Sequence, residues 1–436
     1  MERKFACAIL FSVAVFASLL VACDLRPLAG PAKTPAEEEA MAWESHFGFM
    51  PAAFDFQAVQ ELGARWDRPF FEVFSWDVIE PQPGQFRWTE TDLYVLEAQE
   101  HELHILVTIH PFARWDQMIC HQDLPPVEGF WAPMGRPCDM EAYAAFVRTL
   151  VERYDGDGQN DMPDLKYPIR YWEVANEPSM QKEPLIFFQG SPQDYLMLLE
   201  ATWRAVKEAD PQAQVVQGGM AGMDDFRVDF WEPVLAAGGG DYFDIANIHS
   251  IDYGEHLNLS GFRQLLARHG VEKPIWVTEV QFGWMTVPQP TPEEMANALG
   301  RSLVYALANG ADKLFYVQLR TPSGGRPGEE SGFVESASLL NNEGQPQPVY
   351  FAYRTVLQKL DRFEAVEKIK EQVEGHRIEV GQYKFVVDGR PVYVLWGRGE
   401  PPEAEGSARM TDLLGQEERV ELASITLTDS PLFIEP

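Results

Sequence analysis

The sequence predicts a (β/α)8 barrel of the TIM type, followed by a small β-sandwich-like domain. Between residue 45 and about residue 320, short apolar runs alternate eight times with amphipathic stretches of helical period. This alternation over about 275 residues has the length and rhythm of a (β/α)8 barrel. No Gly-x-Gly-x-x-Gly segment opens a helix after a strand, which argues against a doubly wound dinucleotide-binding fold.

The first residues have the features of an export signal. Arg3 and Lys4 precede an apolar run that ends in Leu-Val-Ala-Cys at Cys23. The charged start and short apolar core are typical of a cleaved signal peptide, here residues 1–22, rather than of a membrane span. Leu-Val-Ala-Cys resembles the lipobox of bacterial lipoproteins, which implies a diacylated Cys23 and an extracytoplasmic, membrane-anchored protein. Ordinary signal cleavage nearby is the alternative. Residues 23–44 are expected to be a flexible tether.

Eight apolar runs are the predicted barrel strands, within a catalytic domain that covers residues 45–363. In chain order they read HFGFM, FFEVFSW, HILVTIHP, IRYWEVANEP, AQVVQGGM, YFDIANIHS, PIWVTEVQFGW and KLFYVQL. Active sites of such barrels gather at the carboxyl ends of the strands, so residues that end these runs are the functional candidates. Residues 364–436 change to alternating runs with a turn signal at Asp388-Gly389, which is typical of β hairpins.

The fourth strand contains two glutamates, Glu173 and Glu177. Period-2 alternation places both on one face of the strand. Glu173 lies in mid-strand, whereas Glu177 occupies the last position before Pro178 interrupts the ladder. Glu177 is therefore the catalytic candidate, and Glu173 is expected to belong to a buried polar network.

A second carboxylate is expected at Glu279, near the end of the seventh strand. Cleavage of a glycosidic bond requires two carboxyl groups, one that protonates the leaving oxygen and one that acts on the anomeric carbon. Strands four and seven lie three positions apart on a ring of eight, so Glu177 and Glu279 can flank one bond across the mouth of the barrel.

The same region resembles glycoside hydrolase clan A, whose members have an acid/base glutamate after strand four and a nucleophile glutamate after strand seven. The matching segments are Asn176-Glu177-Pro178, TEVQFGW from Thr278 to Trp284, FSWDVIEPQPGQFRW after the second predicted strand, and LLNNEGQPQPVYFAY near the last barrel helix. The resemblance implies that Glu177 is the acid/base and Glu279 the nucleophile of a retaining mechanism that needs no cofactor.

The resemblance also implies a set of substrate-binding residues. Asn176 matches the asparagine that binds the sugar 2-hydroxyl, and His110 and His249 match histidines of the −1 subsite. Arg68 matches the arginine that keeps the nucleophile ionised, with a structural salt bridge as the alternative. Side chains expected to contact sugar rings are Trp76, Trp115, Trp284, Tyr316 and Gln318, the last two standing where the clan usually has a tryptophan after strand eight.

Charge and cysteine content restrict the partners. The net charge of −32 repels nucleic acid and polyanionic polymers, which favours a neutral oligosaccharide or polysaccharide substrate and no nucleic-acid partner. Cys120 and Cys138 are the cysteines left outside the signal and the lipobox, and export favours a disulfide between them, with two free thiols as the alternative. No His/Cys cluster has metal-ligand spacing, so no metal site is expected.

These observations predict a retaining β-glycoside hydrolase. Two other functions remain open at this stage. A non-catalytic carbohydrate-binding lipoprotein could keep the barrel as a sugar receptor, although a pure receptor needs neither glutamate. A transglycosylase would use the same residues and differ only in whether a sugar or water resolves the intermediate.

Overall fold

The computed structural model describes residues 45–182, 185–251, 254–282, 290–317, 319–320, 337–398 and 406–436. Three residues singled out in the sequence, Cys23, Trp284 and Gln318, lie outside these described residues. The signal peptide, residues 1–22, and the whole of the proposed tether, residues 23–44, lie outside them as well.

Eight parallel strands form the barrel. They follow the hydrogen-bonded order β5-β4-β3-β2-β1-β8-β7-β6. Bridges from Val216 to Ile245 and from Met220 to Ile248 join the two ends of this order and close the ring. The predicted (β/α)8 barrel is therefore confirmed. The strands are β1 Phe47–Met50, β2 Trp66–Asp67, β3 His104–Ile109, β4 Tyr171–Val174, β5 Gln214–Val216, β6 Ala246–Ile251, β7 Ile275–Gln281 and β8 Ala311–Val317.

Helices connect the strands and carry the apolar stripes that cover the barrel. Two of the longest start with a capping box, in which Ser191 and Thr291 each exchange hydrogen bonds with the residue three positions later. None of the described helices is long and apolar enough to cross a bilayer. The helices are α1 Phe56–Leu62, α2 Trp76–Ile79, α3 Thr89–Glu100, α4 Arg114–Cys120, α5 Met140–Glu152, α6 Pro192–Ala209, α7 Asp225–Ala236, α8 Leu259–Arg268, α9 Pro292–Ala308 and α10 Pro348–Leu360.

The second strand is not where the sequence indicates it. FFEVFSW, residues 70–76, forms turns and the start of α2, and β2 is the two-residue segment Trp66–Asp67. The apolar run is explained by packing, because Phe74 is fully buried and the ring of Phe71 stacks on His110 at 5.1 Å. The prediction of strand two was wrong because the true strand is short and ends in charged side chains.

The C-terminal region is a single six-stranded antiparallel sheet, in the order β9-β10-β11-β14-β12-β13. The predicted C-terminal β domain is therefore confirmed, and among the described residues its strands form one sheet. The turn at Asp388-Gly389 joins β10 to β11 as expected, with positive φ at both residues. The strands are β9 Phe363–Glu374, β10 Arg377–Val387, β11 Arg390–Trp396, β12 Ser407–Thr411, β13 Glu417–Glu421 and β14 Leu432–Glu435.

This sheet packs against the barrel through α9 and the loop after β6. A Cβ atom at Gly300 in α9 would lie 2.6 Å from the side chain of Leu413, so glycine allows the close approach. Arg301 Nε donates to Glu255 Oε2 at 2.9 Å, and both side chains are buried. The backbone N–H of Ile378 donates to the same Glu255 oxygen at 2.9 Å, which ties the start of β10 to this ion pair.

Candidate active site

The mouth of the barrel brings together Glu177, His249 and Glu279. One carboxylate oxygen of each glutamate and a ring nitrogen of the histidine all lie within 4.8 Å of one another. His249 Nδ1 is 2.8 Å from Glu177 Oε1 and 3.4 Å from Glu279 Oε1. All three side chains are buried, so the charges interact through protein rather than through bulk water.

Arg68, directly after β2, is the cation of the site. Its Nη1 donates to Glu279 Oε1 at 2.8 Å and its Nη2 donates to Asn176 Oδ1 at 2.8 Å. Its Nε donates to Glu173 Oε2 at 2.6 Å. The guanidinium therefore contacts the predicted nucleophile, Glu279, and also forms a buried salt bridge with Glu173. Arg68 thus makes the contacts expected under both alternatives, a partner of the nucleophile and a structural salt bridge.

Glu173 is fully buried and accepts five hydrogen bonds, two of them from Arg68. The other donors are Thr108 Oγ1, the backbone N–H of Gly219 and Asn247 Nδ2. A carboxylate whose oxygens are occupied in this way has no room for a substrate proton. Glu173 therefore has the structural role expected from its depth in the strand.

Glu177 reaches the mouth by a different route from the one the sequence suggests. β4 ends at Val174, and Ala175 and Glu177 adopt left-handed backbone conformations with φ of 61° and 38°. The period-2 alternation thus stops before Glu177, and the side chain is placed by this turn rather than by the strand pleat. Non-glycine residues with positive φ are uncommon and cluster at functional sites.

A β-bulge in β7 places two consecutive side chains inside the barrel. Ile248 pairs with Val277 but His249 pairs with Glu279, so Thr278 is an extra residue on β7. Regular alternation would point Thr278 away from Glu279, towards the helices. Instead, Thr278 Oγ1 lies 2.9 Å from His249 Nε2 and donates to Asn247 Oδ1 at 2.8 Å.

His249 and Glu279 influence each other's protonation. Burial opposes the charged form of His249, but the carboxylate of Glu279 and the hydrogen bond with Glu177 outweigh it, and the pKa of His249 is raised. Burial raises the pKa of Glu279, and the charges of His249 and Arg68 limit this rise. The imidazole lies directly over Gly219, where a Cβ atom would be 2.0 Å from Nε2.

His110 follows β3 at the same end of the barrel. Its Nδ1 lies 3.2 Å from Ser75 Oγ, and Nε2 has no hydrogen-bond partner among the described residues. Burial lowers the pKa of His110 to about 3, so the ring is neutral and one nitrogen is available to a ligand. Half-buried rings of Phe71 and Phe130 pack on it, at 5.1 and 5.8 Å between centroids.

Two of the aromatic residues expected to stack on sugar are in the core. Trp76 and Tyr316 are 0% and 1% exposed, so neither ring has a face open to a ligand, and those two expectations are corrected. Trp76 Nε1 donates to Glu80 Oε2 at 2.7 Å, and Tyr316 donates its hydroxyl to the carbonyl of Ala337 at 2.6 Å. Trp115 is half-buried, and its Nε1 donates to the carbonyl of Glu80 at 2.8 Å.

A disulfide joins Cys120 and Cys138, as expected, with Cα atoms 5.8 Å apart. It closes the long loop after β3, which carries Phe130 against His110 and Trp131 into solvent, where Trp131 is 73% exposed. Backbone and side-chain hydrogen bonds between Gln189 and Met134 attach this loop to the loop after β4. The disulfide therefore stabilises one wall of the mouth.

Three clusters among the described residues have the residue types of metal ligands, but none is assigned as a metal site. The two cysteines beside His121 are in the disulfide. The Glu177–His249–Glu279 cluster already has the guanidinium of Arg68 on Glu279. A third cluster, at the opposite end of the barrel before β4, consists of Asp155, Asp157 and Asp161.

Both catalytic candidates could be predicted from the sequence, but the polar groups that contact Glu173 and His249 deeper in the barrel could not all be predicted. Asn247 is two positions before His249 on β6, so period-2 alternation could have placed it on the same face. Thr278 has no such signal because the bulge reverses its direction. Thr108 and Gly219 could not be found from the sequence, since only the closed barrel brings them to Glu173.

Comparison with known proteins identifies the fold. No protein-family model and no curated protein matches the sequence. A family 39 glycoside hydrolase from Bacteroides cellulosilyticus WH2 has a TM-score of 0.65 at 18% identity, over 90% of this chain and 81% of that chain. A glucosidase from Croceicoccus marinus has a TM-score of 0.59 at 15% identity, over 90% and 95% of the two chains. A family 39 β-xylosidase from Caulobacter crescentus has a TM-score of 0.57 at 16% identity, over 90% of this chain and 97% of that chain. The resemblance to clan A is thus confirmed at the level of the fold.

Proposed function

We propose that this protein is a retaining β-glycoside hydrolase that acts on a neutral glycan or glycoside. The observation that supports it most strongly is the approach of Glu177 and Glu279, which have carboxylate oxygens within 4.8 Å of each other. Direct attack by a carboxylate requires carboxyl groups about 5–5.5 Å apart, whereas inversion leaves about 6.5–9.5 Å for a water. Carboxylate oxygens within 4.8 Å of each other leave no space for the intervening water of an inverting enzyme, which favours the retaining geometry.

In the first step, Glu279 attacks the anomeric carbon while Glu177 gives its proton to the leaving oxygen. The bond from the anomeric carbon to that oxygen breaks, and an ester bond to Glu279 forms. Arg68 and His249 stabilise the Glu279 carboxylate before attack, since both lie within hydrogen-bonding or ion-pair distance of its Oε1. The products of this step are an alcohol, which leaves the site, and a glycosyl-enzyme.

In the second step, Glu177 takes a proton from water, and the water oxygen attacks the anomeric carbon. Glu279 has no negative charge in the ester, so the neighbouring carboxyl group of Glu177 can ionise more easily. Glu177 can therefore act as a base in this step, and the ester bond breaks with the sugar configuration restored.

Two further side chains are proposed to hold the sugar. The amide oxygen of Asn176 accepts a hydrogen bond from Arg68, so the amide hydrogens of Asn176 can donate to a sugar hydroxyl. His110 offers a buried Nε2 without a partner among the described residues. Half-buried aromatic rings of Phe71, Phe130 and Phe187 border this side of the mouth and supply apolar faces.

The alternative of a sugar receptor is less well supported. A buried carboxylate such as Glu279 costs free energy unless it is paired, and a receptor gains nothing from a carboxylate held in place by Arg68 and His249. A transglycosylase remains compatible with every contact in the site. Added acceptor sugars distinguish it from a hydrolase, because a transglycosylase forms longer products while a hydrolase releases the free sugar.

The experiment that tests the proposal is a screen of aryl β-glycosides and oligosaccharides with the purified protein lacking its signal segment. We expect turnover with retained configuration, observed by NMR of the first-formed anomer. Turnover with inverted configuration contradicts the retaining mechanism. Oligosaccharide binding without turnover, unaffected by replacement of either glutamate, supports the receptor.

A further inference from the structure

We infer that Thr278 is a positioning residue that fixes the tautomer of His249. In this tautomer the hydrogen of the neutral imidazole is on Nε2, and Nδ1 presents a lone pair to Glu177. The proton that Glu177 gives and takes in the reaction is then shared between Nδ1 of His249 and the Glu177 carboxylate. This inference rests on the proposed function, because it assigns to Glu177 the role of acid/base. It concerns a side chain that the clan resemblance does not include among its site residues.

The directions of three consecutive hydrogen bonds determine the tautomer. Glu173 is engaged by Arg68, and its carboxylate can only accept, so the contact at 2.9 Å must be a donation from Asn247 Nδ2. The amide oxygen Oδ1 of Asn247 is then an acceptor, and the Thr278 hydroxyl donates its hydrogen to it at 2.8 Å.

The hydroxyl of Thr278 has a single hydrogen, which is used in that bond. Towards His249 Nε2, 2.9 Å away, the hydroxyl can therefore only accept. The hydrogen of a neutral imidazole must then be on Nε2, and Nδ1 presents a lone pair to Glu177 Oε1 at 2.8 Å. One proton placed between Nδ1 and Oε1 joins the two groups.

This arrangement makes loss of the mobile proton unfavourable. When the pair is deprotonated, the lone pair of Nδ1 faces the negative oxygen of Glu177 without a hydrogen between them. If the other tautomer were accessible, Nδ1–H would instead donate to the Glu177 carboxylate and stabilise it. By excluding that tautomer, Thr278 makes the Glu177–His249 pair keep its shared proton to higher pH.

Other charged groups face the imidazole, and they are the same in both tautomers. Glu279 Oε1 lies 3.4 Å from Nδ1, Glu173 Oε1 lies 3.9 Å from Nε2, and Arg68 contacts both carboxylates. These charges act on the pair in either tautomer and do not select between them, whereas Thr278 selects the tautomer and thereby raises the pH at which the pair loses its proton. The bulge that turns Thr278 inwards and the glycine under the ring both belong to this arrangement.

The test compares Thr278→Val with Thr278→Ser in the dependence of kcat/KM on pH for an aryl β-glycoside. Valine removes the acceptor, so His249 can adopt the Nδ1–H tautomer, and we expect the alkaline limb to move down by about one pH unit, the size of one hydrogen bond to a charged group. Serine keeps the hydroxyl and should keep the wild-type limb. An unmoved or raised limb in the valine variant, or a limb shifted equally in both variants, overturns the inference.

A second measurement does not depend on activity or on the folding of a variant. Nitrogen NMR of 15N-histidine-labelled protein reports which ring nitrogen of His249 carries hydrogen, with the His249 signal assigned from a His249→Gln sample. We expect hydrogen on Nε2 throughout the pH range in which the protein is folded. Hydrogen on Nδ1 alone in neutral His249 contradicts the inference. If wild type turns over no glycoside while the NMR shows the Nε2–H tautomer, the proposed function has failed and the tautomer assignment has not.

Discussion

Glu177 and Glu279 meet across the barrel mouth with a carboxylate oxygen of each within 4.8 Å of the other, and only Glu279 contacts Arg68. Both carboxylates share His249 as a neighbour. Two identical side chains therefore have different surroundings, and this difference is the physical basis for giving them different roles. It also makes the effects of replacing them distinguishable.

Replacing Glu279 with alanine removes the proposed nucleophile, and we expect turnover of every β-glycoside to be lost. Azide is small and anionic, so it can occupy the vacated space and attack the anomeric carbon directly. The product should be a glycosyl azide of inverted configuration, detected by NMR. Glu272→Ala, an exposed position before β7, is the control and should retain activity. Activity of Glu279→Ala without azide contradicts the assignment.

Replacing Glu177 with alanine should slow the second step more than the first. An activated aryl leaving group needs little protonation, whereas hydrolysis of the intermediate loses its base and slows by roughly 10²–10⁴-fold. A burst of aryl alcohol and an added sugar mass on Glu279 are expected, measured by stopped flow and mass spectrometry. If Glu173→Ala instead abolishes activity in a folded protein while Glu177→Ala does not, the two glutamates have been assigned in reverse.

The buried carboxyl group of Asp67 should make the stability of the protein depend on pH. Burial raises its pKa to about 7, against hydrogen bonds from the Ala52 N–H and the Tyr94 hydroxyl that favour the carboxylate. The folded state keeps this proton up to about pH 7, whereas the unfolded state loses it near pH 3.9. The contribution of Asp67 to the free energy of unfolding is therefore full below about pH 4 and is lost as the pH rises to about 7.

Asp67→Asn removes this dependence. The free energy of unfolding of the variant relative to wild type should increase between about pH 4 and pH 7, by up to about 4 kcal/mol, and then level off. Urea denaturation at a series of pH values measures it, with the exposed Asp388→Asn as control. A difference that is constant with pH contradicts the raised pKa.

The disulfide should contribute to stability through the loop that it closes. For a sequence separation of 18 residues the chain-entropy model gives about 3 kcal/mol. The Cys120→Ser, Cys138→Ser double variant should therefore melt at lower temperature, and reductant should bring wild type to the same Tm. Wild type that melts identically with and without reductant shows that the loop is held by its other contacts instead.

We propose that Cys23 is lipidated and that it anchors the protein to a bacterial membrane. In a bacterial expression host, wild type should fractionate with membranes and incorporate labelled fatty acid. Cys23→Ser should lose the label and appear in the soluble extracytoplasmic fraction. Wild type that is soluble and unlabelled supports ordinary signal cleavage.

Much of the fold was accessible from the sequence because its signals are local. The barrel strands other than β2 are apolar runs near the predicted positions, since strands buried on both faces need no polar alternation. β2 was not predicted because it is short and because Asp67, its last residue, and Arg68, which follows it, are polar and have partners far away in the chain, among them Tyr94 and Glu279. Such compensation has no local signature.

The candidate site divides in the same way. Glu177 and Glu279 stand in short motifs and could be predicted, whereas Thr278 acquired its direction from a register shift between β6 and β7. The stacking residues were misjudged because position near a strand end does not report depth. Trp76 ends the apolar run that was expected to be strand two, and in the structure it starts α2 and packs fully among Trp115, Tyr143 and Phe146.

The buried pair of Glu255 and Arg301 has a consequence for how the chain can be divided. The pair belongs to the barrel, but the N–H of Ile378 and the carbonyl of Asp429, both from the C-terminal region, complete its hydrogen bonds. A barrel cut off after α10 would retain two buried charges with part of their partners missing, which is strongly destabilising. The C-terminal sheet is therefore not a detachable module that could be exchanged between proteins, and barrel and sheet should melt together as one cooperative unit.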